Sequence, residues 1–297
     1  MSGLPSGAEQ RAQPDRPAAS PEPAARSRTP LAAEALGYAG GVLAIAAGIF
    51  MVRDLVPGSP AWAEIALAAV AWVIFGAAGA MLRTKNEPVF RRLRSVLWLM
   101  STVSLAAFTG TLAGQVLASP ASATLVMAAA AAAYGAALWW RTRAVLQHLA
   151  VFASAAVLVG TAVHQLDPGS QAWGPGLGIW ALSALWGAAV IRGYLPPAAT
   201  GYVAAGVGLL AGAQLTMQLA AGHVLAVGTV AGLLAVGVLL RQAWLVALGA
   251  VGVLLVVPQT ATRYLPTSAA VPAAIFVTGV VMLGSAVWLA RRRAGSA

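Results

Sequence analysis

The sequence predicts an all-α protein, a polytopic transmembrane helical bundle of about ten spans, and three observations carry that prediction. Apolar residues make up 60% of the 297 and charged residues only 9%, a balance that suits a surface facing lipid rather than water. Apolar runs of the length needed to cross about 30 Å of hydrocarbon recur along the chain. The eighteen basic residues lie in short clusters between those runs, so a net charge of +10 argues for helix orientation and against nucleic-acid binding.

Residues 1–30 come first, with Pro5, Pro14, Pro17, Pro21 and Pro23 set among Ala, Ser and mixed charges. Such a segment cannot bury enough apolar surface to offset an ordering cost of about 1–2 kcal/mol per residue. It lacks the apolar centre of a signal peptide. It is expected to be a disordered cytoplasmic tail ahead of a transmembrane domain over 31–293.

Ten spans follow, expected over 35–52, 61–82, 95–117, 121–140, 145–165, 173–191, 198–218, 222–240, 243–257 and 269–290. The ninth is short and follows a tight turn at Arg241 and Gln242, so fusion of the eighth and ninth is the main alternative count. With the tail in the cytoplasm, sixteen of the eighteen basic residues fall inside and only Arg53 and Arg263 outside. This is the distribution that the positive-inside rule predicts for ten spans with both termini cytoplasmic. Tryptophan, which prefers the headgroup level, agrees at Trp62 and Trp173 on the outer side and at Trp98, Trp139, Trp140, Trp244 and Trp288 on the inner side. Trp72, Trp180 and Trp186 do not fit and are expected to pack against lipid or helices.

The stretch from Arg53 to Trp62 recurs from His164 to Trp173, identical at six of ten positions with an offset of 111. Phe75-Gly-Ala-Ala78 falls on Trp186-Gly-Ala-Ala189 at the same offset. Four spans separate the copies, which gives them the same orientation and predicts a parallel duplication of a four-helix unit. An inverted duplication would need an odd number of spans between copies. Convergent turn chemistry is the competing explanation, because Pro-Gly-Ser makes a turn and Trp anchors the helix after it.

Small residues at four-residue spacing, Ala204, Gly208 and Gly212, and again Gly228 and Gly232, are expected to let helices approach closely within the chain. No Asp, Glu, Lys or Arg occupies the middle of any span. That argues against a proton-coupled pump, whose relay needs such groups. A polar stripe on the third span, Ser101, Ser104, Thr111 and Gln115, shares one helical face, and with Gln214 and Gln218 of the seventh it forms a candidate polar pathway. Interhelical hydrogen bonding is the plainer explanation for the same residues. On the outer side, Asp54, Glu64, His164, Asp167, His223 and Arg263 form a candidate cluster. Its two histidines come from different loops without ligand spacing, so no metal site is assigned. His148, near Arg141 and Arg143, is expected to contact headgroups.

The absence of cysteine removes disulfides, zinc–cysteine sites, iron–sulfur clusters and thiol nucleophiles. No phosphate-binding glycine loop, paired histidine motif or serine elbow is present, so no catalytic residue, enzymatic activity or cofactor is expected. Glu34-Ala-Leu-Gly-Tyr-Ala-Gly-Gly41 and Val257-Pro-Gln-Thr-Ala-Thr-Arg-Tyr-Leu265 resemble an uncharacterised family of polytopic membrane proteins from high-GC Gram-positive bacteria that carry domains of unknown function. The resemblance covers most of 34–293. It implies the fold class and a multi-pass place in the bacterial plasma membrane, and it supplies no substrate. The functional expectation is a structural or partner-binding role, with a small-solute transporter opening through an external vestibule as the alternative. Membrane lipids are the expected partners, and a protein partner or a second copy of the chain is left open.

Overall fold

The computed structural model describes residues 61–82 and 88–264, and beyond them only Pro272, Phe276 and Gly279, each in helical conformation. All of these fall within one compact unit, Val52–Ala297. Among the described residues the chain forms eight α-helices and no strand: α1 Ala61–Met81, α2 Pro88–Val116, α3 Pro120–Thr142, α4 Val145–Leu166, α5 Trp173–Ile191, α6 Ala198–Thr216, α7 Ala220–Leu239 and α8 Ala243–Tyr264. All eight are long and apolar enough to cross a membrane, the character of a multi-pass membrane protein. They correspond in order to the second through ninth expected spans. The 1–30 tail, the 35–52 span and the first repeat copy over 53–60 lie outside the described residues, as does most of 269–290.

Local chemistry explains where these helices stop. Pro120 opens α3 in the first turn, where a missing N–H removes no helical bond. Arg143 closes it in the left-handed conformation, φ 53°, with its N–H on the Trp139 carbonyl at 2.7 Å. Arg241 repeats the device at φ 53°, and Gln242 returns its N–H to the Gly237 carbonyl at 2.9 Å. That turn makes α7 and α8 two helices rather than one. Between α6 and α7 the chain turns so tightly that a Cβ on Gly222 would strike the Thr216 carbonyl.

Several boundaries differ from the sequence expectation by one to seven residues. α2 starts at Pro88 rather than residue 95, because Arg91, Arg92 and Arg94 ride on its first turns, where long side chains carry their charge away from an apolar stem. α6 ends at Thr216 rather than Gln218. α8 continues through Pro258 to Tyr264. Proline removes one ladder hydrogen bond there, and lipid, offering no water to replace the others, favours keeping the helix intact.

Short turns make sequential helices antiparallel and sort the charges. Arg91, Arg92, Arg94, Arg141, Arg143, Arg192 and Arg241 gather at one end of the bundle, the arginine end. Glu64, Asp167 and Arg263 stand at the opposite end. Two of the expected headgroup tryptophans are instead packed inside. Trp98 lies where a Cβ on Gly79 would touch its ring, and Trp139 is covered by neighbouring helices. Trp62, Trp140 and Trp244 are exposed near helix ends, as anchors should be.

The helix interfaces fall into two quartets. In the first, α1 packs on α2, α2 on α3, α3 on α4, and α2 also on α4. In the second, α5 packs on α6, α6 on α7, α7 on α8, and α6 also on α8. α4 joins the quartets by packing against both α5 and α6. α6 is the most enclosed helix, half of its apolar stretch being buried against 6% for α1. Around it Leu210, Ala213, Ala226, Val230, Leu233, Leu245 and Val256 close the core of the second quartet. Its closest approach is to α5, where a Cβ on Gly212 would lie 2.7 Å from the Gly176 carbonyl oxygen and 2.7 Å from the Trp180 nitrogen.

Candidate functional site

Polar side chains inside apolar helices must find partners, and those partners define the candidate site. Ser101 on α2 is fully buried. Its hydroxyl donates to the Trp72 carbonyl of α1 at 3.1 Å. With that proton committed, the Tyr134 hydroxyl of α3 is the donor in the 3.0 Å contact to Ser101 Oγ. Gly76 leaves the room for this, since a Cβ there would come within 3.2 Å of the serine oxygen. Trp72 also meets Tyr134 edge-on, ring centroids 6.2 Å apart. Ser101→Ala is expected to loosen α1 and α3 from α2 by about 0.6–1.7 kcal/mol, read by unfolding of the purified protein in detergent or bicelles.

The other members of the predicted pathway do not join this contact. Ser104 is half-buried on the same helix. Thr111 turns its hydroxyl back to its own helix, 2.8 Å from the Ala107 carbonyl. Gln115 is exposed near the end of α2, Gln214 is half-buried near the end of α6, and Gln218 is exposed in the turn after it.

The described outer-face candidates lie on or next to α1, α4, α7 and α8. Asp54 lies outside the described residues. Glu64 is exposed in the first turn of α1, and His164 and Asp167 are exposed at the end of α4. His223 is buried on α7, its Nδ1 3.3 Å from Thr260 Oγ1 and its ring edge-on to Tyr264 of α8. Arg263 is exposed on α8. Among the described residues, no three His, Asp or Glu side chains come together as a metal-binding group.

The densest polar arrangement lies where the quartets meet, on adjacent residues of α4. Gln147 is fully buried and paired twice with Ser95 of α2: its Nε2 donates to the Ser95 carbonyl at 2.9 Å, and the Ser95 hydroxyl donates to its Oε1 at 3.1 Å. His148, also fully buried, accepts the Trp186 indole N–H of α5 on Nε2 at 3.0 Å. That bond places the proton of the neutral ring on Nδ1, which is buried with no partner at hydrogen-bond geometry. The nearby Pro196 carbonyl already accepts the Trp139 indole N–H at 3.1 Å. Trp139 and Trp186 flank the imidazole with centroids at 5.3 and 5.5 Å. His148 is therefore enclosed by protein from α3, α4 and α5, not in contact with headgroups as its place beside Arg141 and Arg143 had led one to expect.

Sequence reasoning did not identify Gln147, His148 or Trp186 as a unit. The signal was the set of tryptophans away from headgroup depth, because an indole N–H in mid-span needs an acceptor. Trp186 finds His148, and Trp180 finds Thr229 Oγ1 of α7 at 2.9 Å. Trp72 contributes its carbonyl to Ser101. No family model, no curated protein and no solved structure matches the chain.

Proposed function

We propose that the chain is an integral membrane protein with a structural or partner-binding role. One observation carries this reading: the in-span polar groups Ser101, Gln147 and the Nε2 of His148, which a solute path would need free, are spent on ties between helices. Convergent polar groups left open to one face would have favoured an enzyme or a transporter instead.

The same reading extends to about ten spans, with both termini on the cytoplasmic side of a bacterial plasma membrane. The gathering of described arginines at one end supports that orientation. The resemblance to polytopic proteins of high-GC Gram-positive bacteria supports the setting. A parallel four-helix duplication is supported by the two quartets, whose interfaces repeat helix for helix.

Impermeant thiol labelling of intact cells tests role and orientation together, and the cysteine-free chain needs no background removal. Single cysteines at Gln115, Asp167 and Gln218 are expected to react, and those at Ser101, Ser104 and Thr84 to stay protected. Reaction at Ser101 and Ser104 would open a water path into the membrane and favour the transporter. Reaction at Thr84 with protection of Gln218 would reverse the orientation.

A further inference from the structure

A slot of about 580 Å³ lies against α6 between α5 and α7. The Trp180–Thr229 hydrogen bond crosses between its walls at 2.9 Å. Its lining on α7 runs from Val224 to Val236, which at 1.5 Å per residue is about 18 Å, somewhat more than one leaflet of a hydrocarbon core about 30 Å thick. Gly228 and Gly232 form part of this wall, and a Cβ on either meets no atom within 4 Å. The strip expected to pack against another helix of the chain thus opens onto the slot.

Charge distinguishes the two ends of this slot. At the arginine end it is bounded by Ile191 and Val236. Arg192 follows Ile191 directly, and Arg241 sits in the turn that closes α7; both are exposed. Neither has a carboxylate partner among the described residues, whose acids, Glu64 and Asp167, stand at the opposite end of the bundle. The helix ends themselves add little net charge there. α5 and α7 present negative termini, α6 and α8 positive ones, and these cancel to first order. The arginines decide the sign.

We propose that the slot holds one anionic phospholipid, an acyl chain lying along Gly228 and Gly232 and the phosphate held between Arg192 and Arg241. An apolar channel of one-leaflet length with two exposed arginines just beyond one mouth matches the two-part chemistry of such a lipid. A second copy fits less well. A two-fold contact through this face would bring both copies' Arg192 and Arg241 to the same end, where like charges repel. The inference needs the helices to be in a membrane but does not depend on the structural or partner-binding reading.

The test places the full-length chain in nanodiscs of equimolar phosphatidylglycerol and phosphatidylcholine with identical acyl chains, then counts retained lipids by native mass spectrometry. Wild type is expected to keep one phospholipid, predominantly phosphatidylglycerol. With both Arg192→Gln and Arg241→Gln in place, a lipid should remain but the preference for phosphatidylglycerol should fall about 30-fold, two surface cations being removed. With Gly228→Leu and Gly232→Leu, either lipid should be lost while the helical signal of the purified protein stays at the wild-type value, because the new side chains enter open space. Equal retention of the two lipids by wild type would overturn the proposal. So would undiminished retention by the leucine variant, or a wild-type dimer that this variant dissociates, which would give the slot to a second copy.

Discussion

Gly212→Leu is expected to cost about 3 kcal/mol or more and to separate α5 from α6. The reason is what stands in the way. A Cβ at this position meets the Gly176 carbonyl oxygen, the Trp180 nitrogen and the Trp180 Cα at 2.7–2.9 Å. All three are backbone, and none can swing aside as a flexible side chain would. Overpacking against movable side chains already costs about 1–3 kcal/mol, so this site belongs at or beyond the top of that range. α5 meets the same limit from its side, where a Cβ on Gly176 would lie 2.8 Å from the Gly212 carbonyl oxygen. Equilibrium unfolding in bicelles, with Gly114→Leu on α2 as the control in open space, measures the difference. Equal stability of the two variants would mean that the glycine contact between α5 and α6 is not as close as the structure has it.

His148→Ala should be the most damaging polar substitution, by about 3 kcal/mol, because it combines two losses. It empties a site closed by Trp139, Trp186 and Gly201, and it leaves the Trp186 indole N–H buried without an acceptor. The second loss alone is of order 1–3 kcal/mol. A double-mutant cycle separates the two. Trp186→Phe removes the orphaned donor, so in the His148→Ala background it should cost less than it does in wild type, and the coupling should be about 0.6–1.7 kcal/mol as for other hydrogen bonds between membrane helices. Additive effects would show that the 3.0 Å contact contributes only packing. Because His148 joins α4 to α5, the damage should appear first as parting of the quartets, detected as protease or labelling access near Pro196 before loss of helical signal.

The helical class and the order of spans were legible because lipid imposes one rule on every segment: about 20 apolar residues with backbone bonds satisfied internally. Boundaries were less legible wherever a residue has two readings. Arg91, Arg92 and Arg94 read as loop because they are charged, yet the first turns of α2 carry them. The ninth span was expected to stop at residue 257, yet α8 continues through Pro258 to Tyr264. The spacing of Ser101, Ser104, Thr111 and Gln115 identified a common helical face. It could not report that one member meets Trp72 and Tyr134 while another bonds to its own helix. The junction at Gln147 and His148 was hidden for the same reason. Partners 52 and 38 residues distant in sequence become neighbours only through packing, and neither position belongs to a recurring motif.

Sorting Asp, Glu, Lys and Arg to the helix ends also has an electrical consequence. A membrane potential does work only on charge that moves through its field, about 2.3 kcal/mol per elementary charge per 100 mV. Along the middle of α1 to α8 there is no such fixed charge to move. Any rearrangement of these helices that keeps their ends at the two surfaces therefore couples weakly to voltage, and the bundle should hold the same conformation in energised and de-energised cells.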